Sequence, residues 1–418
     1  MLLSKLFTRT TKESASDTSS INADLLTRAG FVHKTMAGVY SYLPLGYRVI
    51  RKIEQIVREE MYRVDGQEVL MSALSPSESW QKTGRWDNTV FEALFHLPAS
   101  GDKEYALNPT HEEIVVPLTQ NYINSYKDLP IACYQIQTKF RNEPRAKSGV
   151  LRGREFIMKD LYSFHVSQED LDAYYERVQG AYDKIFERLG LADITYLTYA
   201  SGGSFSKYSH EYQVVLDQGE DHIFVSLEAE KKGKRVAVNK EIYEEGKTEC
   251  PETGGKSFRE ERASEAANIF KLGTKFSDPF GMKYTNDKGE NHSVIMGCYG
   301  LGVSRMMGII VEALSDDNGI VWPENVAPAQ VHIVPIAKTT DDESFKEAKK
   351  LYEKLQKSGT DCLFDDRIDG SVGSRLADAD LIGVPKRIVV SPKTLEKGGV
   401  EVKLRSSGEE SIVALDSF

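Results

Sequence analysis

Apolar residues recur every three to four positions through residues 46–64, where Val49, Ile53, Ile56, Val57, Met61 and Val64 form one stripe and charges fill the other face. That period predicts an amphipathic helix. The preceding GVYSYLPLG is punctuated by glycine and Pro44 and reads as a turn or short extended piece entering the helix. Residues 67–73 alternate as a strand. Residues 109–126 open with Pro109 and Thr110 followed by Glu112 and Glu113, a cap and then acids, as at a helix start. Two apolar segments, 131–140 and 155–165, flank a loop rich in glycine, proline and arginine, the pattern of a long antiparallel hairpin. Residues 170–189 return to the helical period.

Over 201–209 the chain turns to glycine and serine and reads as a loop. Residues 228–265 are charged with few large apolar positions, as in a small surface insertion. An apolar segment at 293–299 leads through a glycine-rich turn into a helix at 303–314. Beyond the two prolines of WPENVAPAQ, strand and helix patterns alternate: VHIVPIA, a helix at 342–357, DCLFDD, a helix near 373–382, then KRIVVSP. That is a separate α/β domain of roughly 90 residues.

At about 150 residues per domain, 418 residues leave room for two or three domains. The 53 Lys plus Arg against 63 Asp plus Glu give a formal net charge of −10. This argues against a surface that coats nucleic acid and leaves room for a locally basic site. The four cysteines lie at least 48 positions apart, with no zinc-knuckle, CxxC or disulfide spacing, which fits a reducing, cytoplasmic setting. No run approaches the ~18 apolar residues of a membrane span. The acid-poor start, MLLSKLFTRTTKE, lacks a cleavable apolar core and reads as an ordinary N-terminal arm.

Against this acidic background FRNEPRAKSGVLRGREF, residues 140–156, stands out. Arg141, Arg145, Lys147, Arg152 and Arg154 face only Glu143 and Glu155, a local charge of +3. Arginine forks suit phosphate or carboxylate, and strand alternation puts Arg141 with Glu143, and Arg152 with Arg154, on shared faces. The competing reading is a solvated basic loop. In MGCYGLGVSRMMGIIVEAL, Gly297, Gly300 and Gly302 precede a helix that opens with Arg305. Glycines and a helix N-terminus admit a phosphate, and an arginine in a nearly all-apolar helix needs an anionic partner. The order GxxGxG, without a βαβ continuation or ribose-binding acid, does not match a dinucleotide fingerprint. In LNPTHEE, Thr110 and Glu112 fit a cationic amine as well as a plain helix cap.

Together these segments resemble motifs 2 and 3 of the class II aminoacyl-tRNA synthetases, and GVYSYLPLG with Pro44 resembles their dimer-forming motif 1. More closely, RAGFVHKTMAGVYSYLPLGYRV, NPTHEE, REFIMKDLYSFH, SHEYQV, IMGCYGLGVSR and DDR…LADADLIGVPKRIVVS resemble the bacterial-type prolyl-tRNA synthetase family over nearly the whole chain.

The resemblance implies an α/β fold with an α+β catalytic core: a class II antiparallel sheet with helices over 1–325, interrupted by the charged insertion at about 228–265. A small mixed-sheet anticodon-binding domain over 326–418 follows. It implies ATP-dependent ligation of L-proline to tRNA(Pro) through prolyl-adenylate, with Mg²⁺ bound alongside ATP, in a cytoplasmic homodimer joined around Pro44. Arg141 then bridges the α-phosphate and the proline carboxylate, Glu143 meets the adenine end, Arg152 the nucleotide further along, and Arg305 the γ-phosphate. Thr110 and Glu112 receive the proline ammonium, Phe164 and His210 surround the ring, and Gln213 is a nucleotide contact. Asp365, Asp366 and Arg367 match the cluster that reads anticodon bases, and Arg375 a contact to the tRNA backbone.

Two departures qualify the resemblance. Between motifs 2 and 3 the chain is too short for the large editing domain of many bacterial relatives, so cis-editing is expected to be absent. ECPETGG has threonine where a second cysteine would complete a CxxC, so no structural zinc is expected at Cys250. Rival readings are a threonyl-type enzyme of the same subgroup, whose zinc ligands do not appear in the sequence, and a non-catalytic tRNA-binding paralogue, which would usually lack the arginines present here.

Overall fold

The predicted helix at 46–64 forms as α1, Pro44–Arg63, with Val49, Ile53, Ile56, Val57 and Met61 all buried. Pro44 is its first residue rather than a turn before it. That position asks for no backbone N–H, and proline's fixed φ suits it. The computed structural model describes residues 1–14, 20–201 and 208–418. The predicted loop at 201–209 therefore falls largely outside the described residues. The chain divides into two compact units, one of Met36–Val39 with Glu54–Ile309, the other of Met1–Thr35, Tyr40–Ile53 and Ile310–Phe418.

The first unit is built on a nine-stranded sheet. In chain order its strands are β1 Gln67–Glu68, β2 Ile131–Phe140, β3 Glu155–His165, β4 Thr195–Ser201 and β5 Tyr208–Val215. They continue as β6 Asp221–Ser226, β7 Val236–Asn239, β8 Phe258–Gly273 and β9 Ile295–Leu301. The order across the sheet is β5-β4-β7-β6-β8-β9-β3-β2-β1, antiparallel except for the β1·β2 and β4·β7 pairs.

The β2–β3 hairpin forms as predicted, from Ile131↔Phe164 to Phe140↔Glu155. The strand predicted at 67–73 is reduced to β1, because the Met71 amide turns away to the Gln135 side chain. The helix predicted at 109–126 is α2, Glu112–Gln120. His111 precedes it without a side-chain cap, and the Thr110 hydroxyl donates instead to Glu112 Oε2 at 2.6 Å. Residues 228–265 do not form a detached insertion. β7 and the first half of β8 lie within them and belong to the main sheet. No alternation shows there because β7 is a four-residue VAVN and β8 opens with four consecutive charges, Arg259 to Arg262, on both faces.

The sheet register separates two faces. Tyr134, Leu161, Tyr299, Ile269 and His210 are paired across adjacent strands in one row, and the next row holds Gln135, Asp160, Gly300, Asn268 and Glu211. Successive strand residues point to opposite faces, so these rows are back to back. The first row meets α3, Gln168–Arg188, through Tyr174 and Tyr175. The second faces the site.

In the other unit, α5 (Glu343–Lys357) and α6 (Val372–Ile382) alternate with β10 (Val331–Pro335), β11 (Cys362–Phe364) and β12 (Lys386–Val390). β13 (Val400–Leu404) and β14 (Glu410–Val413) complete a mixed sheet ordered β11-β10-β12-β13-β14. In the chain, α4 (Val303–Leu314) follows directly on β9.

Candidate active site

Row by row, the site face carries Tyr162 beside Cys298, then Asp160 beside Gly300 beside Asn268. A Cβ on Gly300 would lie 2.9 Å from the Asn268 amide oxygen, so the glycine keeps this floor open. That differs from the phosphate-cradling turn read from the sequence. At one end of the floor, Glu112 Oε2 accepts from Thr110, and Cys298 Sγ lies 3.6 Å from Oε1. Beneath it Lys139 and Asp160 form a buried ion pair at 2.6 Å.

Arg141 follows the last residue of β2, placed by the bond from its amide to the Arg154 carbonyl at 2.8 Å. Arg141, Glu143, Arg152 and Arg154 thus lie in the connecting loop, not on strands as their spacing suggested, because pairing stops at Phe140↔Glu155. The Arg141 guanidinium stacks 5.1 Å from the Phe156 ring centroid, and its Nε reaches only the Pro109 carbonyl, at 3.5 Å. Among the described residues no carboxylate lies within ion-pair distance of it. Burial and the facing charge of Arg305 both lower its pKa. Arg305, in the first turn of α4, donates to the carbonyls of Leu151 and Glu265 and lies 3.9 Å from the Glu265 carboxylate. Two half-buried cations facing each other call for an anion between them.

Glu143 is held by Arg152, with Nε at 3.0 Å and Nη2 at 2.8 Å, and Arg152 also reaches Glu220 at 3.4 Å. Gln213, fully buried, donates to Glu211 and Asp221, while its carbonyl oxygen meets no donor among the described residues. Burial, and then the neighbouring Glu265, push Glu211 up to about 7.

Several predicted residues are not brought to this cluster. His210 belongs to the opposite row, where its Nδ1 meets the Tyr175 hydroxyl at 2.8 Å. SHEY points His210 and Glu211 to opposite faces, so both cannot line one pocket. Phe164 shares the site face but is fully buried among Val115, Val116 and Met296 under α2. In the other unit, Asp365 is fully buried, its carboxylate shared by Arg367 (2.8 Å) and Arg375 (3.0 Å). Burial opposes its charge, but the two arginines outweigh burial and hold its pKa below the usual range. Asp365 and Arg375 therefore frame this loop rather than present themselves to RNA bases. Half-buried Asp366 accepts from the Ser4 amide at 2.8 Å.

Sequence reasoning missed Arg85, which binds both Glu112 and Glu113 from a segment whose pattern predicted no element. The available signal was a lone arginine between Trp80 and Trp86. Cys250 is buried, its thiol bonded to Ser226 and Thr253. Among the described residues no three His, Cys, Asp or Glu side chains cluster as metal ligands.

Residues 94–314 match the tRNA synthetase class II core domain (G, H, P, S and T), and residues 330–418 match an anticodon binding domain. The proline–tRNA ligase of Zymomonas mobilis is 38% identical over 435 positions, covering all of this chain and 97% of that protein. That of Dehalococcoides mccartyi is 33% identical over 560 positions, covering all of this chain and 98% of the relative. The chain belongs to the proline–tRNA ligase family. Within that family it is a short form, because its 418 residues lack the additional length that extends the Dehalococcoides alignment.

The fold agrees with prolyl-tRNA synthetase from Cryptosporidium parvum, solved with halofuginone and AMPPNP, at a TM-score of 0.77 and 20% identity over 95% of this chain and 74% of that one. The Giardia lamblia prolyl-tRNA synthetase with prolyl-adenylate superposes at a TM-score of 0.75, with 22% identity over 94% and 74% of the two chains.

Proposed function

We propose that the chain activates L-proline with ATP and transfers the prolyl group to tRNA(Pro). The observation that carries this reading is the pair of cations Arg141 and Arg305, which face each other beside the Thr110–Glu112 hydroxyl–carboxylate pair. An amino acid joined to a phosphate fits that layout, with the ammonium on Glu112 and the negative charge on the arginines.

In the first step a proline carboxylate oxygen bonds to the α-phosphorus, and the bond to the bridging oxygen of pyrophosphate breaks. Little proton transfer is needed, so catalysis is positioning and charge stabilisation. Arg141 holds the carboxylate against the α-phosphate and Arg305 neutralises the γ-phosphate end. Glu143 and Arg152 flank the adenine side, and Gln213 acts on the nucleotide side from beneath by holding Glu211. Glu211 and Glu265 are the carboxylates that would hold a Mg²⁺ accompanying ATP, which would supply further charge neutralisation. In the second step the terminal hydroxyl of the tRNA attacks the prolyl carbonyl carbon and AMP leaves.

For the second unit we propose anticodon reading by Asp366 and Arg367, with Asp365 and Arg375 holding them in place. A homodimer through the region around Pro44 and a cytoplasmic setting complete the proposal. Four buried, unbridged cysteines support the latter, and no helix among the described residues is long and apolar enough to cross a membrane. Sedimentation at twice the 46.9 kDa chain mass tests the dimer. Transfer of labelled proline to tRNA(Pro) in the presence of ATP tests the function, and acceptance of threonine instead would overturn it.

A further inference from the structure

We propose that Arg85 is a positioning residue, holding the Glu112 carboxylate in place for the proline ammonium. This rests on the function proposed above.

Arg85 follows the short helix Ser77–Lys82, and its guanidinium is enclosed by rings: Phe91 at 4.2 Å, Trp80 and Phe276 each at 5.3 Å. From there Nη1 reaches Glu112 Oε2 at 3.3 Å and both Glu113 oxygens, at 3.0 and 3.3 Å. An aromatic cage fixes the plane of the cation, so the direction of these bonds is fixed too. Thr83 adds a bond to Glu113 at 2.8 Å. Glu112 and Glu113 are consecutive acids, both buried, in the first turn of α2. The other titratable or charged groups facing the pair are Tyr162 and Lys139 from the sheet, Lys275, His111, Cys298 and Arg141. Of these, Lys275 also faces both carboxylates, while Arg85 is hydrogen-bonded to both.

Burial raises the Glu113 pKa, Arg85 opposes the rise and Glu112 adds to it, leaving Glu113 at about 7. Without Arg85 that opposing charge is lost, so Glu113 keeps its proton to higher pH and offers it to the neighbouring Glu112 carboxylate. That proton competes with the ammonium for Glu112, and the competition weakens as pH rises.

The test is proline-dependent ATP–pyrophosphate exchange by the full chain between pH 6 and 9, comparing wild type, Arg85→Gln and Arg85→Gln/Glu113→Gln. Loss of one charge-assisted contact raises KM for proline about tenfold to a hundredfold at neutral pH, with KM for ATP unchanged and a recovery shifted to higher pH. The double variant, with no second acid to share the proton, recovers much of the proline affinity. Equal increases in both KM values, or a proline KM unaffected at every pH, would overturn the proposal. Should Arg85→Gln not fold, Arg85→Lys carries the test: it keeps the charge but loses the planar guanidinium that the three rings hold in direction, so KM for proline alone rises, and an unchanged value refutes the role. Exchange by wild type that ignores proline would instead remove the function on which the proposal rests.

Discussion

Arg141 has a stacking partner and one long carbonyl contact, and its strongest electrostatic neighbour apart from burial is another cation. Such an arrangement costs stability in the absence of ligand and is relieved by a bound anion. Replacing Arg141 with alanine therefore lowers proline-dependent exchange by about two to three orders of magnitude, the ~2.7–4 kcal/mol of a lost charged transition-state contact. Thermal unfolding should move little. Asp365 behaves in the opposite way. Asp365→Asn leaves Arg375, 3% exposed, without its full counter-charge. Removing one partner of a buried pair costs about 3–5 kcal/mol, to be read as a lower urea midpoint. At this scale the sequence identified residue types well and their burial poorly. DDR looks like a charged surface loop, and only folding brings Arg375 from α6 onto Asp365.

Among elements, the hairpin β2–β3, α3, α4 and the alternation of the C-terminal sheet follow from hydrophobic period. Each buries one clear face. β7 escaped because it is only four residues, VAVN, without an exposed polar alternate, β8 because four consecutive charges open it, and β1 because a side chain, not the backbone, receives the Met71 amide. Row parity in β5 carries the sharpest consequence. It assigns His210 to the α3 face, against Tyr175 and Tyr199, and Glu211 to the site face. His210→Ala accordingly costs about 1 kcal/mol of stability through the lost Tyr175 bond. KM for proline should remain within about threefold of wild type, since a shift that size is under 1 kcal/mol. A much larger KM change would return His210 to the pocket.

For the whole molecule, burial holds His111 and His332 at about 4, below their ordinary 6.5; Lys139 reinforces burial at His111, with Asp160 opposing, and at His332 Asp365 opposes it. Both are neutral when folded and take a proton when unfolded below that value. Their contribution is thus complete above pH 6.5 and declines toward pH 4, with each residue costing about 1 kcal/mol by pH 5.5. Urea unfolding at pH 7 and 5.5 measures the slope, and His332→Leu should flatten it. The short form also predicts that the purified chain does not hydrolyse alanyl-tRNA(Pro). The central claim is tested most directly by ATP–pyrophosphate exchange with individual amino acids. The account predicts exchange that depends on proline and is not supported by threonine. Exchange driven by threonine, or none with proline, would contradict it.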